Sequence, residues 1–216
     1  MSFIIALVLS LVFFGTSMVS PGVKAFSHSD FNQLVQAGVR PQALRVALKA
    51  YYWAQSHGKI HSHFMTLVNF SQKSTQKRLW IINMVTGKVV FNGLVAQGRN
   101  TGLLYAKHFS NAPGSKMSSL GAYVTGDTYF GHHGYSLRVH GLEPGINSNA
   151  FSRAIVFHSA WYATPRFAEA HDYLGRSWGC FAVNPKYSHY IFSKIKGGSF
   201  VFAYAASENH DPHFTA

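Results

Sequence analysis

The sequence is poor in cysteine, in acidic residues and in long apolar runs. One cysteine, Cys180, occurs in 216 residues. A lone thiol excludes an internal disulfide framework, a Cys-x-x-Cys redox pair and any zinc finger built on several thiolates. Asp and Glu together number 7 against 19 Lys and Arg, a formal charge of +12, and charged residues make up only 12%. That scarcity, beside 47% apolar residues, argues against disorder driven by charge repulsion. Only one stretch resembles a membrane segment, Phe3 to Phe14, broken by Ser10 alone. A dozen apolar residues are short for a span. Followed by Val23-Lys24-Ala25, they read as a secretory leader over residues 1–25, cleaved after small side chains. An uncleaved anchor is the other reading of the same residues.

What is present fits a compact, strand-rich body. Aromatic residues reach 15%, and the basic residues are scattered, with no tract of five or six. Nucleic acid is therefore not the expected partner. Export turns the same charge toward anionic wall and membrane-surface polymers, with no stable membrane insertion if the leader is cleaved. No linker or repeat divides the remainder. Residues 26–63 read as a helical segment, with Asp30 capping a short helix from Phe31 and Pro41 opening a second that ends at Gly58.

Beyond residue 63 the apolar period falls to two. Strands are expected at 64–70, 78–84, 88–95, 121–125, 135–140, 153–157, 181–183 and 199–204, and helices after Pro165 and Pro185. Residues 98–119 and 126–134, rich in Gly, Ser, Asn and His, read as long loops. The result is an α+β, β-rich fold occupying 64–205, with a tail at 206–216.

Cys180 closes Gly175-Arg176-Ser177-Trp178-Gly179-Cys180. A lone Cys beside Phe181, Ala182 and Val183 has a plain reading as a small buried hydrophobe. A free thiol in an exported chain, next to a glycine that lets backbone N–H groups approach a ligand, has a second reading as a nucleophile. A thiol nucleophile needs a base. Of 13 histidines, His158 is the best placed, at the end of the apolar run Ala154 to Phe157. The pairs His61/His63, His132/His133 and His210/His213 read as surface histidines, because no thiol or carboxylate set accompanies them; no metal and no cofactor is expected. Glu143 and Asp172 lack the support to be a glycosidase pair.

His158-Ser159, 17 residues, then Ser177-Trp178-Gly179-Cys180 resembles the catalytic signature of the bacterial murein L,D-transpeptidases. The likeness spans about residues 45–205. It continues in order through Arg78-Leu79-Trp80, Gly98-Arg99-Asn100, Phe109-Ser110-Asn111, Ser118-Ser119-Leu120-Gly121, Ser136-Leu137-Arg138 and Gly141-Leu142-Glu143. The resemblance implies a mixed β-sheet sandwich with flanking helices, and a cysteine acyltransferase that acts on peptidoglycan stem peptides in the periplasm or cell wall. It makes Cys180 the nucleophile, His158 its base, the Ser159 carbonyl the orienting group, and the N–H groups of Trp178, Gly179 and Cys180 the oxyanion donors. Ser177 would fix the loop or bond substrate. Arg138 and Arg176 are candidates for a stem carboxylate, and Trp161 and Tyr162 for the groove wall. Phe181 stands where the family has proline, which bears on substrate fit. A non-catalytic wall-binding protein that keeps the fold is the alternative.

Overall fold

The computed structural model describes residues 26–207; the expected leader, most of the tail and the His210/His213 pair lie outside them. Helix α1 (His28–Gln36) opens with a capping box in which the Ser27 side chain accepts from the Asp30 N–H and the Asp30 carboxylate accepts from the Ser27 N–H. The cap is therefore Ser27, and Asp30 serves from the third helical position. Helix α2 (Pro41–Ser56) starts on its proline, whose missing N–H costs nothing there. It lays Leu44, Ala47, Ala50 and Tyr51 against the sheet.

Nine strands follow: β1 (Phe64–Asn69), β2 (Leu79–Asn83), β3 (Lys88–Gly93), β4 (Val95–Ala96), β5 (Gly121–Gly131), β6 (Gly134–Gly141), β7 (Val156–Ser159), β8 (Phe181–Val183) and β9 (Phe200–Tyr204). Helix α3 (Pro165–His171) is capped by Thr164, and α4 (Pro185–Ile195) by Asn184. The strands form one mixed sheet in the order β3-β2-β1-β9-β5-β6-β7-β8-β4, with β1/β9 and β7/β8 parallel.

Its two outermost strands, β3 and β4, are separated in sequence by Leu94 alone. A single residue cannot cross a flat nine-stranded sheet at about 4.8 Å per strand. The sheet therefore curls until its ends meet, and it encloses one core between its two halves. Val68, Leu79 and Val201 from one half there meet Leu137, Phe157, Phe181 and Val183 from the other. The outer face of β1, β2 and β9 is covered by the two N-terminal helices, where Met65, Leu67, Phe200 and Phe202 pack on α2. Each such side chain contributes about 1.5–3 kcal/mol on burial.

Arg78 holds the seam. It is fully buried, and its guanidinium donates to the carbonyls of Val95 (3.0 and 3.1 Å) and Gln72 (3.0 Å), and to Gln97 Oε1. The carbonyl partners sit on the opposite sheet edge and the adjoining loop. Burial pulls the guanidinium down to about 9, so it remains a cation at neutral pH.

One expected loop is absent. Residues 126–134 are a hairpin: β5 bulges between Thr125 and Thr128, then pairs Thr128 with Leu137, Tyr129 with Ser136 and Phe130 with Tyr135. The two-residue turn is His132-His133, flanked by Gly131 and by Gly134 at φ +71°. Glycines mark the bulge and the turn, where they supply backbone freedom inside a strand pair. The expected strand from Arg153 begins only at Val156, because Ala154 turns left-handed at φ +54°.

Candidate active site

The parallel pair β7/β8 places the two reacting candidates. Phe157 is level with Phe181 and His158 with Ala182, so Cys180 falls level with Val156. Side chains alternate along a strand. Phe157 and Phe181 turn into the core, where their rings stack at 4.7 Å, while His158 and Cys180 emerge on the other face. Both open into a cavity of about 280 Å³ lined by His132, His133, His158, Tyr162, Arg176, Ser177, Trp178 and Cys180. No carboxylate lines it. A larger cleft of about 480 Å³ against α3, with Lys73, Thr75, Lys77, Glu169 and Asp172 in its wall, is lined by neither cysteine nor histidine.

His158 is 2% exposed. Its Nδ1 lies 2.9 Å from the Ser159 carbonyl oxygen. A carbonyl only accepts, so Nδ1 carries the proton and Nε2 keeps its lone pair as the basic atom. Burial pushes the imidazole well below the usual histidine range, to about 4; the Ser159 carbonyl opposes this and His133 adds to it. Cys180 is 8% exposed. Burial pushes its thiol up, against a hydrogen bond from the Val156 backbone and the positive charge of Arg153. The thiol donates to the Ala154 carbonyl at 3.6 Å. At neutral pH the two groups that share the cavity are thus a neutral thiol and a neutral imidazole.

The loop before Cys180 is braced from three directions. Ser177 Oγ accepts from the Gly179 N–H (3.1 Å) and donates to the Cys180 carbonyl (2.7 Å). Ser118 Oγ accepts from the Gly98 N–H (3.0 Å) and donates to the Gly179 carbonyl (3.2 Å). Ser177 and Gly98 form a bridge, with the Arg99 N–H on the Ser177 carbonyl at 2.7 Å. Gly179 sits at φ +121°, and a Cβ there would lie 2.7 Å from the Met117 carbonyl oxygen and 2.8 Å from Ile155 Cδ1. Only glycine fits. The Gly179 N–H is already taken by the Ser177 hydroxyl.

Arg138, expected at a stem carboxylate, and Trp161, expected in the groove wall, do not line the cavity. The Arg138 guanidinium is stacked 4.1 Å from the Tyr129 ring centroid. Trp161 is 72% exposed and packs edge-on against Tyr162 and Phe167. Tyr162 does line it, seated against Gly175, where a Cβ would collide with its ring. Arg176 reaches the cavity while its Nη1 donates weakly to the Arg99 carbonyl at 3.5 Å. Trp178 is 70% exposed, with Lys116 Nζ 4.9 Å over its ring.

Two residues missed in the sequence also stand at the site. Arg153, read as strand, donates to the Ser110 and Met117 carbonyls (2.7 and 2.6 Å) and to the Ser119 and Ser115 hydroxyls (2.6 and 3.1 Å). It ties loop 110–119 down beside the thiol. His133, read as a plain surface histidine, is exposed at the hairpin tip yet stacks on His158 with ring centroids 4.3 Å apart. No sequence signal marks Arg153. Thr128-Tyr129-Phe130, ahead of a Gly-flanked pair of residues, is the signal that would have found the hairpin. Glu143 is buried and accepts from the Ala122 N–H, a structural role. Among the described residues no group of three or more His, Cys, Asp or Glu is arranged to hold a metal ion, and no helix is long and apolar enough to cross a membrane.

A buried histidine with a fixed tautomer and a thiol just ahead of the neighbouring strand thus open into one cavity. Residues 35–204 match the model of the L,D-transpeptidase catalytic domain, and the chain belongs to that family. Similar solved structures include an L,D-transpeptidase from Mycobacterium smegmatis, at 11% identity and TM-score 0.42, covering 67% of this chain and 59% of that one. One from Stackebrandtia nassauensis has 15% identity and TM-score 0.40, covering 82% and 76%. An L,D-transpeptidase in complex with imipenem has 13% identity and TM-score 0.39, covering 65% and 58%. A comparison with curated protein sequences gave no match.

Proposed function

We propose that the protein is an exported cysteine acyltransferase that cuts and rejoins peptidoglycan stem peptides. The observation that carries this reading is the pairing of His158, its Nδ1–H held by the Ser159 carbonyl at 2.9 Å, with Cys180 in one cavity free of carboxylates. Cys180 Sγ attacks the carbonyl carbon of the third, L-centred stem residue as its proton passes to His158 Nε2. The N–H groups of Trp178 and Cys180 stabilise the oxyanion. Collapse breaks the peptide bond, and the leaving D-Ala amine takes the proton from Nε2. A thioester on Cys180 remains. An acceptor amine then attacks it, gives its proton to Nε2, and the thiol is restored as the new amide forms. Another stem's side-chain amine gives a 3→3 cross-link, water gives carboxypeptidase activity, and a D-amino acid gives exchange.

The Arg176 cation in the cavity wall suits a substrate that carries a terminal carboxylate. Export through the leader at 1–25 places the enzyme at the wall, in the periplasm, where a charge of +11 remains after loss of Lys24. The test is incubation with purified disaccharide-tetrapeptide, with D-Ala release measured and the products identified by mass. Release by the wild type that Cys180→Ala abolishes is expected. No release by either, or equal release by both, overturns the reading.

A further inference from the structure

The hairpin that the loop-like composition concealed bears directly on the base. Strand β6 pairs with β7 so that Ser136 is level with His158. The two residues that follow outward along the hairpin, Tyr135 and Gly134, carry the turn past the end of β7 and over the cavity. There His133 lays its ring on that of His158, at a 4.3 Å centroid separation and an interplanar angle of 21°. His132 meets His133 edge-on at 5.2 Å. The hairpin is anchored behind the tip, where Tyr135 stacks on His189 at 4.6 Å and packs on Phe192 of α4.

An imidazole that works as a base needs its ring plane fixed as well as its tautomer. The Ser159 carbonyl holds one edge of His158, which leaves rotation about that bond and access of water to the ring face. The stacked ring of His133 limits both. We propose that His133 is a positioning residue for His158: its ring fixes the plane of the base and keeps it dry and neutral. This rests on the reading of His158 as general base.

The groups that face this ring pair are few. They are His132 on the hairpin, Cys180 and Arg176 in the cavity, Tyr162 beyond them, and Arg153 behind the thiol. None is a carboxylate, so nothing there favours an imidazolium. Burial and the proximity of His133 both act to hold His158 neutral. Removal of His133 therefore opens the ring face to water and raises the pH at which the base is lost to protonation. A phenyl ring in its place keeps the stack and much of the dryness while it removes the neighbouring charge.

The experiment compares wild type, His133→Phe and His133→Ala, each first checked for an unchanged unfolding midpoint at pH 7. Long-range ¹H–¹⁵N correlation on histidine-labelled protein reads the tautomer and titration of His158 without any substrate. Kinetics of D-Ala release read the reaction. For His133→Ala we expect mixed tautomers at His158, a titration moved to higher pH, and kcat lowered roughly 10- to 100-fold with KM nearly unchanged. His133→Phe is expected to recover most of kcat and the single tautomer, with the acid limb of its profile between those of wild type and the alanine variant. Unchanged tautomer, titration and kcat in His133→Ala overturn the proposal, as does a change confined to KM. If the wild type shows the fixed tautomer and the alanine variant loses it, while neither releases D-Ala, the placement of the ring stands and the transpeptidase reading falls.

Discussion

Acid should destabilise this protein through His158, and the effect is large enough to isolate. In the unfolded chain the ring takes up a proton around the ordinary value of 6.5, whereas in the folded chain it stays neutral to about 4. Between those two pH values the unfolded state binds more protons, so stability rises with pH in that window and falls on acidification. The loss begins as pH drops below 6.5 and levels off below about 4. At 1.36 kcal/mol per decade the gap corresponds to about 3 kcal/mol, a large share of the 5–15 kcal/mol typical of a domain. Urea unfolding followed by tryptophan fluorescence at a series of pH values from 7 to 4 would measure it. The His158→Gln variant supplies the reference, since the other histidines titrate in both proteins. Wild type is expected to lose about 3 kcal/mol more than the variant over this range, with the denaturant slope unchanged. Equal losses would mean that the ring is not held neutral, and the assignment of Nε2 as a ready lone pair would fall with it.

Three further substitutions test the scaffold around the site. Gly179→Ala should cost about 1–3 kcal/mol from its left-handed φ alone and abolish acylation with Cys180 and His158 both intact, as checked by urea unfolding and intact mass. Arg153→Met removes the charge that lowers the thiol, so the pH profile of iodoacetamide alkylation at Cys180 should move to higher pH; an unmoved profile excludes the electrostatic role. Arg78→Met leaves the Val95 and Gln72 carbonyls without their donor, at about 1–3 kcal/mol per stranded acceptor. A thermal melt should show it, and Arg78→Lys should not rescue it, because an ammonium lacks the fork.

The strands and helices were legible where periodicity was strong. Tyr51 on α2, the alternation through Phe157-His158 and the run Phe181–Val183 all stand where their patterns place them. The hairpin at 126–134 was masked, because a bulge at Gly126-Asp127 and a His-His turn carry the composition of a loop and leave only Thr128-Tyr129-Phe130 as a strand signal. Its register is set by pairing with β6, which no local pattern encodes. Cys180 and His158 were legible as candidates because a thiol after Gly and a histidine after an apolar run are local signals, and the structure brings the two into one cavity. Arg153 and His133 were not, since each acts on residues that only the curled sheet brings near. The separate similarities at Gly98, Ser118 and Ser177 turn out to be one brace: the loops they mark are hydrogen bonded to each other around Gly179.

The reach of Cys180 to an acyl group is the claim on which the rest depends. Intact-protein mass spectrometry after incubation with a carbapenem tests it in one step, because the ring-opened drug stays on the nucleophile as a thioester. The account predicts a single adduct of the drug's mass on wild type, located at Cys180, and none on Cys180→Ala. No adduct on the wild type, or an adduct that survives Cys180→Ala, would contradict it.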